Sequence, residues 1–276
     1  MAGQLSASEQ LAYSTVRIEA RLAAGGTSVG TGFFYRFLED GDMHVPALVT
    51  NKHVVDGAVD VTFFAHESAG GAPHPSSNIA VTLPCVGNWI PHPDPDVDLT
   101  ILPIAPLIEA AGVQGKVLFY VALDHSLVPS VPDMSNLTAV EDVLMVGYPI
   151  GIWDSTNNMP VFRQGITATH PGKDYEGRTE FMIDAACFPG SSGSPVFLFN
   201  MGSYPSKDGG IVVGSRVKLL GALYAGPQFT AKGEIAVENI PTAQKLTSSS
   251  RIPVNLGLVV KAQRIRDFDP LLEALL

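Results

Sequence analysis

Cysteine is nearly absent from this chain: Cys85 and Cys187 are the only two among 276 residues. At most one disulfide can form, so the fold is no disulfide-stapled scaffold and must be held by its core. Two thiols without a framework read as buried thiols in a reducing compartment, which places the protein in the cytoplasm. Basic charge is scarce too. Lys and Arg number 17 against 27 Asp and Glu, a net charge of −10. The longest basic stretch, Lys261 to Arg266, holds only Lys261, Arg264 and Arg266 as cations. That excludes nucleic acid as the main partner, because neutralising phosphates needs clustered Lys and Arg. Long apolar runs are missing as well. Nothing approaches the roughly 18 apolar residues of a membrane helix, so no membrane partner is expected. The first ten residues have neither the basic n-region nor the apolar h-region of a secretory leader. A secreted chain that had already lost its leader would read the same way.

What the chain has in quantity is apolar side chain, 46% against 16% charged residues. That is enough for a substantial core and argues against disorder. Residues 7–14 read as a short helix or an irregular arm. Beyond them, apolar alternation broken by Gly, Asp and Pro recurs about every ten residues, the pattern of antiparallel strands. Residues 32–37 and 45–50 flank Glu39-Asp40-Gly41-Asp42, a hairpin signal. Further strands are expected at 59–64, 79–83, 99–103 and 117–123. After a Pro/Ser-containing stretch at 126–135 they resume at 142–147, 161–169, 180–185, 195–199, 217–224 and 257–260. In the last sixteen residues Ile265, Phe268, Leu271, Leu272, Leu275 and Leu276 are spaced for one helical face. Pro270 divides that helix or starts a second turn.

The chemistry concentrates in Phe188-Pro189-Gly190-Ser191-Ser192-Gly193-Ser194-Pro195. Gly190 and Gly193 let the backbone turn tightly around Ser192. That geometry can aim the amides of Gly190 and Ser192 at one point, where an oxyanion would form. A Ser/Gly/Pro cluster alone is equally a surface turn. Two upstream segments change the balance. Ala47-Leu48-Val49-Thr50-Asn51-Lys52-His53-Val54-Val55 is an apolar strand that ends in a polar turn carrying His53. Asp94-Pro95-Asp96-Val97-Asp98-Leu99-Thr100-Ile101-Leu102 opens an alternating strand with an aspartate. A serine hydroxyl needs a base to take its proton, and an imidazole can take it and pass it on. An aspartate fixes the imidazole tautomer. Asp98 suits that role because the strand follows it directly; Asp94 and Asp96 compete for it.

In this order, with Gly30-Thr31-Gly32-Phe33-Phe34 before the histidine and Gly147-Tyr148-Pro149-Ile150-Gly151 and Ile183-Asp184-Ala185-Ala186 before the serine, the sequence resembles the chymotrypsin-like serine peptidases, in particular trypsin-like domains of the HtrA type. The resemblance covers about residues 15 to 260. It implies an all-β fold of two six-stranded antiparallel β-barrels with a short C-terminal helix. Residues 1–125 would form the barrel bearing His53 and Asp98, and 126–276 the barrel bearing Ser192. It implies a serine endopeptidase that works through an acyl-enzyme without a cofactor or metal, on protein or peptide substrates. Extracellular members of the family carry several disulfides, and HtrA-type proteins usually carry a PDZ domain after the barrels, for which 16 residues after Val260 leave no room.

The resemblance also places Ala186 at the floor of the S1 pocket and Leu223-Tyr224-Ala225-Gly226 along the edge that pairs with substrate backbone. An uncharged floor gives a buried P1 Lys or Arg no partner, so small or medium apolar P1 residues are expected. Asp184 would invert that expectation if it turned into the pocket. Zymogens of this family bind a new N-terminus through an aspartate just before the nucleophile; Ser191 stands there, so the oxyanion loop is ordered constitutively or by a regulator. A catalytically silent, protease-like binding or scaffold protein is the alternative. An esterase lacks support because Gly-x-Ser-x-Gly with a strand-to-helix elbow is missing. Roles in stress proteolysis and in bacterial defence fit such a peptidase equally.

Overall fold

The computed structural model describes residues 5–226, 228–235 and 246–276. The chain is mostly β. A seven-residue helix, Ala7–Tyr13, opens it, capped by Ser6 and Glu9 in a reciprocal capping box. The first sheet is built from β1 (Thr15–Leu22), β2 (Thr27–Asp40), β3 (Met43–Thr50), β4 (Ala58–Ala69), β5 (Ala72–Pro84), β6 (Ile90–Pro91), β7 (Thr100–Pro103) and β8 (Leu118–Phe119). Its order is β5-β4-β1-β2-β3-β7-β6, with β8 on β4. The second is built from β9 (Asp142–Gly147), β10 (Val161–Thr167), β11 (Glu180–Asp184), β12 (Pro195–Asn200), β15 (Arg216–Ala225) and β18 (Leu256–Lys261). These six close into a barrel in the order β10-β11-β18-β15-β12-β9. Between them lie two hairpins, β13 (Ser203–Pro205) with β14 (Ile211–Val213) and β16 (Gln228–Ile235) with β17 (Leu246–Pro253).

The expected pair of closed six-stranded barrels therefore needs correction in its first member. Among the described residues, the first sheet has eight strands, seven on an open path from β5 to β6 and β8 beside it on β4. The physical reason lies at one end of the path: β6 has only two residues, too few to carry a ladder round to β5 at the other end. The expected strand at 117–123 shrinks to β8, and the stretch after β7 becomes a helix, Ala105–Val113, begun by Pro106.

The unbroken apolar run Phe33-Phe34-Tyr35 follows from β2 being covered on both faces. Phe33, Tyr35 and Phe37 face a core shared with Val146, Phe197 and Val260 of the barrel, while Phe34 faces the interior of the first sheet with Ile18, Leu48 and Phe63. Each such side chain, fully removed from water, contributes about 1.5–3 kcal/mol. The shared core is sealed by the C-terminal segment, a 3-10 helix (Ala262–Phe268) running into an α-helical turn (Asp269–Glu273). Ile265, Phe268 and Leu272 are buried in it, whereas Leu275 and Leu276 are exposed, so the apolar stripe engages only in its first part. Pro270 sits at the start of the second turn. Cys187 is buried and Cys85 only half-buried, and both are free thiols. Among the described residues, no helix is long and apolar enough to cross a membrane.

Candidate active site

Register brings the histidine and the aspartate together. β3 pairs antiparallel with β7, Thr50 opposite Thr100 and Val49 opposite Ile101. The residues leaving β3 and those entering β7 therefore meet at one end of the sheet. His53 lies in the helical turn Lys52–Val55 just beyond Thr50, and Asp98 two residues before Thr100. His53 Nδ1 is 2.5 Å from Asp98 Oδ2, and the His53 amide donates to Asp98 Oδ1 at 3.2 Å. One carboxylate thus orients both ring and backbone. The imidazole is nearly half exposed, at 47%.

The loop bearing Asp98 is tied down from three sides. Asn51 Nδ2 donates to the Asp98 carbonyl at 2.6 Å, and Lys52 Nζ to the Asp94 carbonyl at 3.0 Å. Asp94 itself is occupied: the Asp96 amide and Arg264 bond its carboxylate, which holds its pKa below the usual range. Asp98 is the aspartate of the three that meets His53. His92 fastens the same loop to the C-terminal segment, with Nε2 donating to the Arg264 carbonyl at 3.1 Å.

Ser192 sits on the loop that leads from β11 into β12. Gly190 and Gly193 have φ of +88° and +84°, and a Cβ on Gly193 would collide with the Thr31 carbonyl oxygen. Only glycine meets both demands. Three carbonyls of this loop are held by amide partners. Pro189 O accepts from the Ile150 amide at 2.5 Å, Ser191 O from the Ser194 amide at 3.0 Å, and Ser192 O from the Thr31 amide at 2.8 Å. In a trans peptide, N–H and C=O point in opposite directions. The Gly190 and Ser192 amides consequently face away from Ile150 and Ser194. Ser192 is half-buried. Its neighbours Ser191 and Ser194 are buried at 1% exposure each, and the Ser191 hydroxyl accepts from the Phe188 amide at 3.5 Å.

Ala186 is half-buried, and its carbonyl accepts from Arg163 Nη1 at 2.9 Å. Asp184 ends β11 exposed to solvent. Cys187 is wedged between Gly226 and Gly257, where Cβ atoms would lie 3.8 Å from its Cβ and 2.6 Å from its Sγ. Burial pushes its thiol up to about 11, so it stays protonated near neutrality and is no rival nucleophile. Leu223 is buried and pairs with the nucleophile loop: its carbonyl accepts from the Gly193 amide at 2.7 Å, and its amide donates to Ser194 O at 2.9 Å. Tyr224 and Ala225 follow, half-buried, at a bulge against β18, and Gly226 is exposed. The Tyr224 hydroxyl donates to the buried Glu180 at 2.8 Å; burial first, and Glu180 second, raise its pKa. Sequence reasoning did not identify Ile150 or Asn51 as supports, although both stand inside motifs it singled out.

Residues 30–203 match the family model of the trypsin-like peptidase domain. No curated protein matches the chain in sequence. Among solved structures, the HtrA-type protease AlgW with a tripeptide aligns at a TM-score of 0.50 and 15% identity, over 94% of this chain and 61% of that one. At that identity the likeness is one of fold. An inactive mutant form of Rv3671c from M. tuberculosis H37Rv aligns at a TM-score of 0.43 and 18% identity, over 97% and 89% of the two chains. Deg5 aligns at 0.45 and 18%, over 81% and 88%.

Proposed function

The chain belongs to the trypsin-like peptidase domain family, and from that premise we propose that it is a serine endopeptidase acting through His53, Asp98 and Ser192. The reading rests on one observation above the others: the carbonyls of Pro189 and Ser191, bonded to the Ile150 and Ser194 amides, leave the Gly190 and Ser192 amides free to face a substrate carbonyl. His53, with Nδ1 bonded to Asp98, keeps the lone pair of Nε2 for the Ser192 hydroxyl. Ser192 attacks the scissile carbonyl, His53 takes its proton, and the two amides stabilise the oxyanion. His53 then protonates the leaving amine. Water repeats the cycle on the acyl-enzyme.

Ala186 at the S1 floor and Leu223 to Gly226 along its edge favour small or medium apolar P1 residues on protein or peptide substrates. The exposed position of Asp184 supports that preference, since it leaves the floor without a counter-charge. A fluorophosphonate probe tests the activity: it should label the wild type and fail to label Ser192→Ala. A wild type that stays unlabelled and cleaves no peptide points to the silent binding protein.

A further inference from the structure

Thr31 lies on β2 in the first sheet, fully buried, and every polar atom it owns is spent on the site. Its amide donates to Ser192 O at 2.8 Å. Its hydroxyl donates to Gly190 O at 3.1 Å and accepts from the Tyr148 amide at 3.0 Å. Its carbonyl accepts from the Thr50 hydroxyl at 2.7 Å, at the end of the strand that delivers His53. Glycines make the room for this. A Cβ on Gly147 would sit 2.8 Å from Thr31 Oγ1, and one on Gly193 would strike the Thr31 carbonyl.

We infer that Thr31 is a positioning residue that reaches across from the first sheet and sets the oxyanion loop of the second. The inference rests on the serine-peptidase reading. The peptide planes before and after Gly190 are fixed separately. Ile150 N holds Pro189 O, and Thr31 Oγ1 holds Gly190 O. With both planes pinned, the direction of the Gly190 N–H is determined. The Thr31 hydroxyl also ties Tyr148, two residues before Ile150, to the same point, so the two supports move together. Gly190 alone, at a φ of +88°, has the freedom to rotate this peptide elsewhere. Thr31 removes that freedom while touching no substrate.

Thr31→Val keeps the β-branched shape and deletes the hydroxyl, leaving the Gly190 carbonyl and the Tyr148 amide without their partner. For a peptide substrate the inference expects kcat to fall about 10- to 100-fold with KM little changed, since the interaction lost forms only in the transition state. Affinity for a peptide boronic acid, a tetrahedral mimic, should fall by the same factor. Thr31→Ser, which keeps the hydroxyl, should restore both. Thr31→Ala carries the same readings if the valine variant does not fold. A folded variant that keeps wild-type kcat and boronate affinity overturns the inference, as does one that loses only thermal stability. A wild type that neither cleaves nor takes up a fluorophosphonate instead overturns the peptidase reading itself.

Discussion

The Ile150 amide holds the Pro189 carbonyl at 2.5 Å from a backbone with φ of +52°, a left-handed conformation in which a β-branched residue is rare. The side chain itself is 58% exposed, so little apolar burial offsets the strain. What is used at this position is the amide, and any non-proline residue supplies it.

Ile150→Asn is therefore expected to keep peptidase activity and raise stability by about 1 kcal/mol, because asparagine tolerates the left-handed region. Urea unfolding measures the stability and a peptide substrate the activity. A loss of stability would mean that the isoleucine side chain packs in a way its exposure does not suggest.

Asp98 receives both the ring and the amide of His53. Asp98→Asn should leave the fold intact and lower kcat by about 10³ to 10⁴, through the wrong imidazole tautomer. Wild-type activity in Asp98→Asn would remove the pair from the mechanism.

Much of this site was legible in the sequence because its chemistry sits in short contiguous motifs. The strand ends that deliver His53 and Asp98, and the glycines around Ser192, carry their signals locally. What was not legible depends on contacts between segments distant in the chain. Thr31 stood in a recognised Gly-Thr-Gly motif, yet its bonds to Gly190, Ser192 and Tyr148 are set by packing of one sheet on the other. The open first sheet escaped notice for a similar reason: alternation marks strands but does not state how the ends pair. Leu275 and Leu276 have the helical spacing yet stay exposed, because spacing marks a face and not what the face meets.

On the proposed S1 assignment, Ala186 at the floor sets the substrate preference. Peptides with Val, Leu, Ala or Met at P1 should exceed those with Arg or Lys by more than about 100-fold in kcat/KM, because an unpaired buried cation costs several kcal/mol. Among the apolar residues the differences should be about tenfold per methylene. A P1 library decides, and strong cleavage after Arg or Lys would point to Asp184 as a counter-charge.

Stability should depend on acid through His92. Its side chain is fully buried, its Nδ1 accepts from the Asp94 amide at 3.0 Å, and Nε2 faces the Arg264 carbonyl and Asp267, the latter at 3.2 Å. Burial, the largest influence, lowers its pKa from the ordinary 6.5. The unfolded chain then takes up the proton first, so this contribution is intact above the ordinary value and is lost as pH falls from there toward the folded-state value. Urea midpoints should drop between about pH 7 and 5, in the range of histidine titration, and His92→Gln should flatten part of that slope. An unchanged slope in His92→Gln would show that this histidine is not its source.

Fluorophosphonate labelling followed by peptide mass mapping tests the central claim most directly. The account predicts one adduct per chain, on Ser192, absent from Ser192→Ala and undiminished by more than about tenfold in rate in Ser191→Ala and Ser194→Ala, where only loop perturbation is at stake. An adduct on Ser191 or Ser194, or labelling that persists in Ser192→Ala, would contradict it.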